Sequence, residues 1–188
     1  MIQFLVCLLE EPSAKEMLEG VLPRLLDEGI TVKYIVFEGK QDLERNIEKR
    51  LKFWKQPNSC FLVMRDKDSG NCRVIKNNLL AKIKKSGKNA VIRIACHELE
   101  SFYLGDLSAV EKGLKINGLA KLQSKSKFRK PDKLSNPSEE LYKLTEKKYQ
   151  KVAGSRAIAP HLKIDGTNKS HSFNILLPSI KKLIEDKS

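Results

Sequence analysis

In FLVMRDKDSG, residues 61–70, four apolar residues run into two aspartates one residue apart, Asp66 and Asp68. Carboxylates placed just past the end of a buried strand are hard oxygen ligands, suited to Mg²⁺ or Mn²⁺ rather than to zinc. The same residues also read as a plain strand end, because Asp and Gly both favour turns. Other acids follow other apolar runs: Glu10 and Glu11 after IQFLVCLL, Glu38 after ITVKYIVF, and Glu98 and Glu100, with His97, after NAVIRIAC. Each has a structural alternative. Glu10 and Glu11, ahead of Pro12, suit the positive end of a helix. Glu98 and Glu100 suit a first helical turn, and His97 suits a hydrogen-bonded interior position. Taken together, they all fall at the ends of candidate strands. If those strands are parallel, the carboxylates reach the one sheet edge where open α/β folds bind ligands. There they repel one another unless a cation lies among them.

The elements that must position these acids alternate regularly. Strands are expected at residues 2–9, 30–39, 59–66 and 89–98. Helices are expected between them at SAKEMLEGVLPRLLDEG, QDLERNIEKRLKFW and RVIKNNLLAKIKKSG. Ser13 and Glu16 have capping-box spacing for the first helix, with Gly29 at its end. Leu43, Ile47, Leu51 and Trp54 share one face of the second. This alternation implies an α/β core with a mostly parallel sheet of about four strands flanked by helices. Beyond residue 100 the pattern becomes helical and basic, with expected helices at ESFYLGDLSAVEKGL, SEELYKLTEKKYQK, SRAIAPHL and SFNILLPSIKKLIEDK. The expected plan is a single domain over 1–188: an α/β core at 1–105 and a basic helical C-terminal part at 106–188.

With 188 residues the chain is long enough for one domain with a substantial core. No apolar run approaches the roughly 18 residues of a membrane span. MIQFLVCLL lacks a basic n-region and reads as a strand rather than a signal peptide. The four cysteines are scattered without a CxxC pair, which points to a reducing cytoplasm and to neither structural zinc nor a disulfide framework. The 36 Lys and Arg against 23 Asp and Glu give a formal charge of +13. Both a phosphate-rich partner and a plain lysine-rich solvated surface are consistent with that surplus. The stretch KLQSKSKFRKPDK, residues 121–133, is the densest basic segment. Its Lys125, Lys127, Arg129 and Lys130 are the candidate backbone contacts, and Phe128 reads either as a base-stacking ring or as a core anchor. Ser170 and Ser172 read as helix N-caps.

A Glu after the first strand and a DxD after the third, in a four-stranded α/β unit, resemble the TOPRIM domain of topoisomerases, bacterial primases and OLD-type nucleases. More closely, VCLLEEPSAKEML, VFEGKQDL, VMRDKDSGNC, IRIACHELESFYLGD, KFRKPDKLSNPSEEL and YQKVAGSRAIAPHL followed by SHSF resemble a bacterial family of small TOPRIM-like proteins of unknown function. Its members often lie beside an ABC- or AAA-type ATPase in apparent phage-defence operons. The resemblance implies a TOPRIM-like Rossmannoid core and a metal-dependent nuclease, with Mg²⁺ or Mn²⁺ as cofactor, DNA or RNA as substrate and the ATPase as partner. It places the general acid/base or ligand glutamate at Glu10, with Glu11 the alternative because the pair permits either alignment. It assigns Asp66, Asp68 and Glu100 as further metal ligands. Lys151 would stand near the metal and stabilise phosphate charge, with Arg156 or His161 assisting. Two departures stand out: Arg65 and Lys67 flank the aspartates, and Asn71 occupies a position where relatives often carry a third acid. A non-catalytic subunit of the same fold, gripping nucleic acid or an ATPase, is the rival reading. A haloacid-dehalogenase-type phosphotransferase fits less well, because its nucleophilic aspartate normally follows the first strand.

Overall fold

A computed structural model describes residues 2–185. Four strands, β1 (Phe4–Leu9), β2 (Thr31–Val36), β3 (Ser59–Asp66) and β4 (Val91–Ala95), form one sheet in the order β2-β1-β3-β4, with every pairing parallel. The expected α/β architecture is therefore present. Between β1 and β3 the strand order reverses: the chain leaves β1 for β2 on one side, and β3 and β4 lie on the other. That reversal opens a crevice at the carboxyl ends of β1 and β3.

The side-chain period of two in each strand divides the core. Leu5, Cys7 and Leu9 of β1 and Cys60, Leu62 and Met64 of β3 face one layer. Val6 and Leu8, with Phe61 and Val63, face the other. The second layer is built by α2 (Lys40–Lys52) and α3 (Cys72–Lys85), which bury Leu43, Ile47, Leu51, Leu79 and Ile83. The first is covered by α1 (Pro12–Val21) and by the C-terminal helices: α4 (Glu100–Leu104), α5 (Leu107–Leu114), α6 (Pro137–Leu144), α7 (Lys151–Ile158) and α8 (His171–Glu185). Phe102, Tyr103, Leu141, Ile158, Phe173 and Leu176 from this half belong to the same buried cluster as the strands.

Several boundaries differ from expectation for local reasons. The first helix stops at Val21, because Pro23 turns the chain through a 3-10 segment at Leu22–Arg24; Gly29 lies beyond, in a turn at φ 106°. Its N-cap is Glu11 rather than Ser13, since Pro12 takes the first helical position. The helix expected across Gly105 splits there, and Asp106 caps α5 by accepting from the Ala109 N–H. Helix α6 ends at Leu144, well short of Lys151, and Glu146 and Lys147 follow with positive φ. Pro160 converts the end of α7 into the 3-10 turn Ala159–His161. Ser170 caps α8 through the Phe173 N–H at 3.2 Å. Residue 1 of the first expected strand and residues 186–187 of the last expected helix lie outside the described residues.

Candidate active site

The β1–β3 register fixes what meets at the switch point. Leu9 pairs with Met64. The ladder ends there; continuing its alternation past the last pair sends Glu10 and Arg65 to one face and Glu11 and Asp66 to the other. Because the period is two, the adjacent glutamates diverge: Glu10 continues the α2–α3 side, and Glu11 the side of α1 and the C-terminal helices.

On the α2–α3 side the charges are paired off. Glu10 accepts the Asp66 backbone N–H at 2.9 Å and lies 3.8 Å from the Arg65 guanidinium. Arg65, nearly buried, also binds Glu44 and stands 3.9 Å from Asp68. Asp68, in the left-handed region at φ 51°, receives Lys40 at 2.7 Å. Burial pushes the Glu10 carboxyl up, opposed by the Asp66 N–H and Arg65. This is an ion-pair network. The flanking Arg65 therefore neutralises Glu10 and Asp68.

The other side is different. Asp66, Glu11 and Glu100 converge there around the Lys151 ammonium. Glu11, at the α1 N-cap, accepts from Ser13 Oγ through one oxygen and meets Lys151 Nζ at 3.3 Å through the other. Glu100 is fully buried. Its Oε1 accepts from Tyr149 Oη at 2.9 Å, and its Oε2 has no hydrogen-bond partner. Burial pushes the Asp66 carboxyl well above the ordinary range, and Glu11, Glu100 and Glu10 add to it. Burial likewise raises Glu100, while Lys151 and the Tyr149 hydroxyl pull it back. For Lys151 burial alone would favour the neutral amine; Glu100, Glu11 and Asp66 outweigh it and hold the charge. Lys151 stands at the first position of α7, where the helix dipole disfavours a cation, so the carboxylates also stabilise its placement. A groove of about 450 Å³, bordered by Tyr142, Tyr149, Gln150 and Lys151, opens beside the cluster.

The remaining candidates are dispersed. Glu98 accepts the Ser138 N–H at 2.7 Å and so caps α6. Arg156 grips Glu16 on α1 through two bonds of 2.6 and 2.9 Å, tying α7 to α1. His161 lies past the far end of α7 from Lys151. His97 Nδ1 lies 2.8 Å from the Asp68 carbonyl. Asn71 caps α3, accepting from the Arg73 and Val74 N–H groups. Lys125, Lys127, Arg129 and Lys130 are exposed, whereas Phe128 between them is buried in the core and unavailable for stacking. Lys127 pairs with Glu140 at 2.6 Å, which sets the basic segment against α6, the helix that also borders the groove.

The donors fit a hard divalent ion in kind: three carboxylates, one with an orphaned buried oxygen. Among the described residues, no three His, Cys, Asp or Glu side chains stand close enough to hold a metal together as they lie. Sequence reasoning missed Tyr149 as the partner of Glu100. No local signal marked it, because the sequence reads as continuous helix to Lys151, whereas the chain leaves the helix at Leu144 and is extended at Gln150.

No helix among the described residues is long and apolar enough to cross a membrane. Nothing among curated proteins, and nothing among solved structures, matches the chain. A family model described as a domain of unknown function, DUF4276, matches residues 9–181, a span that takes in the strand tips, the acid cluster and Lys151. The chain belongs to the DUF4276 family.

Proposed function

We propose that this protein is a metal-dependent nuclease of TOPRIM type, hydrolysing phosphodiester bonds as the effector of an ATPase-containing phage-defence system in the cytoplasm. The observation that carries the reading is the unpaired Oε2 of fully buried Glu100, set beside Asp66 and Glu11 at the switch point. A buried carboxylate oxygen without a partner is costly, and such groups cluster at functional sites. Glu11, Asp66 and Glu100 are the residues that would hold Mg²⁺ or Mn²⁺. When bound, the ion supplies Lewis-acid polarisation of a phosphate oxygen and a water of lowered pKa. Lys151 places its ammonium where charge develops on the phosphoryl oxygens. Tyr149 orients Glu100 by its hydrogen bond. The exposed lysines and arginine of 125–130 track the backbone of the DNA or RNA. The motif order quoted above supports the ATPase partnership.

The test is cleavage of duplex DNA, single-stranded DNA and RNA in Mg²⁺ or Mn²⁺, with and without an ATPase from the gene neighbourhood. Asp66→Asn and Glu11→Gln are expected to lower the rate by about 10²-fold or more. Asp68→Asn, on the opposite face, is expected to lower it less than about tenfold. Equal losses from Asp66 and Asp68 would reassign the site, and an inert wild type under every condition would end the enzymatic reading.

Two observations favour a second reading, a non-catalytic subunit that binds nucleic acid or the ATPase: Lys151 already supplies a cation among the acids, and no preassembled triad is present among the described residues. Calorimetric titration with Mn²⁺ separates the two. Saturable heat that disappears in Asp66→Asn supports the nuclease. Salt-sensitive nucleic-acid binding without metal heat supports the binding subunit.

A further inference from the structure

Cys72 and Cys96 are 24 positions apart in the chain, yet their sulfurs lie 3.6 Å from each other. Both are partly exposed, whereas Cys7 and Cys60 are buried in the sheet. Cys72 is the first residue of α3, and Cys96 directly follows β4. The segments that carry them already run side by side. The Lys67 N–H donates to the Ala95 carbonyl at 2.9 Å, and the Asp68 N–H donates to the His97 carbonyl at 2.9 Å. The cysteine pair closes the outer end of this seam. On one side of it lies the loop that carries Asp68; on the other, the connection leading to Glu98 and Glu100.

We propose that Cys72 and Cys96 form a reversible oxidation site, at which a peroxide joins them in a disulfide that clamps the β3–α3 loop to the β4–α4 connection. The Cys72 thiolate attacks one peroxide oxygen, the O–O bond breaks and hydroxide leaves, giving a sulfenic acid. Cys96 then gives up its proton, and its sulfur displaces hydroxide from the Cys72 sulfur. Two thiols are oxidised, and one peroxide is reduced to two waters. The sulfurs have to close from 3.6 Å to about 2.05 Å, an approach that side-chain rotation on two partly exposed residues provides. Burial, followed by the contact with Cys72, pushes the Cys96 thiol up to about 12. The product and the balance are the same whichever of the two sulfurs attacks first. Disulfides of this kind in reducing compartments are transient and redox-sensing. The inference is independent of the nuclease reading.

The reduced protein is treated with hydrogen peroxide, quenched by alkylation and mapped by mass spectrometry under non-reducing conditions. The expected product is a single intramolecular peptide pair, Cys72 with Cys96, restored to free thiols by dithiothreitol. Alkylation of the unfolded, oxidised chain should then reach two of its four cysteines. Oxidation should raise Tm by about 5–10 °C and slow amide exchange over residues 67–72 by about tenfold. Cys72→Ser and Cys96→Ser should each abolish both effects. The proposal is overturned if all four thiols survive peroxide, if the two cysteines end as separate sulfinic acids, or if the linkage joins two chains. Because the wild-type map needs no variant, a misfolded substitution does not rescue the proposal.

Discussion

Asp66 is the residue where the proposed function and stability oppose each other most directly. Its carboxyl is raised by burial and then by Glu11, Glu100 and Glu10, so the folded chain holds this proton more tightly than the unfolded chain does. Stability from this group is therefore greatest below the ordinary carboxylate range and declines as pH rises toward the raised folded value. Removing the charge should relieve the strain. Asp66→Asn is expected to raise Tm by about 2–6 °C at neutral pH, and the gain should vanish below about pH 4, where the residue is protonated in the unfolded chain as well as in the folded one. Thermal melts across pH check this. A lower Tm for the amide at neutral pH would make Asp66 a structural residue. The Tyr149–Glu100 bond belongs to the same balance. Tyr149→Phe removes the hydroxyl donor from a buried carboxylate whose other oxygen is already unpaired, and is expected to cost about 1–3 kcal/mol, read by denaturant unfolding.

Among the elements, close helix packing decides whether Lys151 reaches the strand tips. Helix α7 contacts both α1 and α5, and glycines make the approach possible. A Cβ at Gly113 of α5 would stand 2.5 Å from the Ala157 carbonyl oxygen and 2.7 Å from Ile158 Cα, both backbone atoms that cannot swing aside. Gly113→Ala is therefore expected to destabilise by about 1–3 kcal/mol, in spite of the higher helix propensity of alanine. In α7 itself, a Cβ at Gly154 would strike the Tyr149 ring, the group that orients Glu100. Gly154→Ala should thus impair any metal-dependent heat or cleavage more than its stability loss accounts for. The strand tips were readable as elements: β3 ends at Asp66, as the change from apolar to acidic residues indicates. Their division between two faces follows from the alternation of side chains once the register is known. That is why Glu10 and Glu11, indistinguishable by type, have separate fates.

For the whole molecule, the buried cluster on the α1 side draws on the strands and on α4 through α8 together. The basic C-terminal half is thus one of the two layers that cover the sheet. A fragment of residues 1–105 would lose Phe173, Leu176 and Ile158, which share one buried cluster with Leu5, Cys7, Leu9, Leu62 and Met64. It is expected to lack near-UV circular dichroism and dispersed amide resonances, whereas the full chain unfolds in one cooperative transition. A fragment with native-like dispersion would show that the C-terminal half is an appended unit. The same half supplies Lys151, Tyr149 and the basic segment 125–130, so the site and the fold are lost together.

By itself the sequence determined the α/β alternation, the tips of β1 and β3 and the acids beside them, because local periodicity and turn chemistry carry that information; β2 and β4 end three residues short of expectation, at Val36 and Ala95. It also marked Arg65 as a rival for the aspartates. Only the tertiary structure decided which acids share a space. Sheet order placed β1 beside β3, side-chain alternation turned Glu11 toward the Asp66 face, and the packing of α7 on α1 and α5 delivered Lys151 across 140 positions of chain to Glu11. Those are long-range pairings, and their stability comes from apolar burial summed over both layers rather than from any local pattern that could be read in advance.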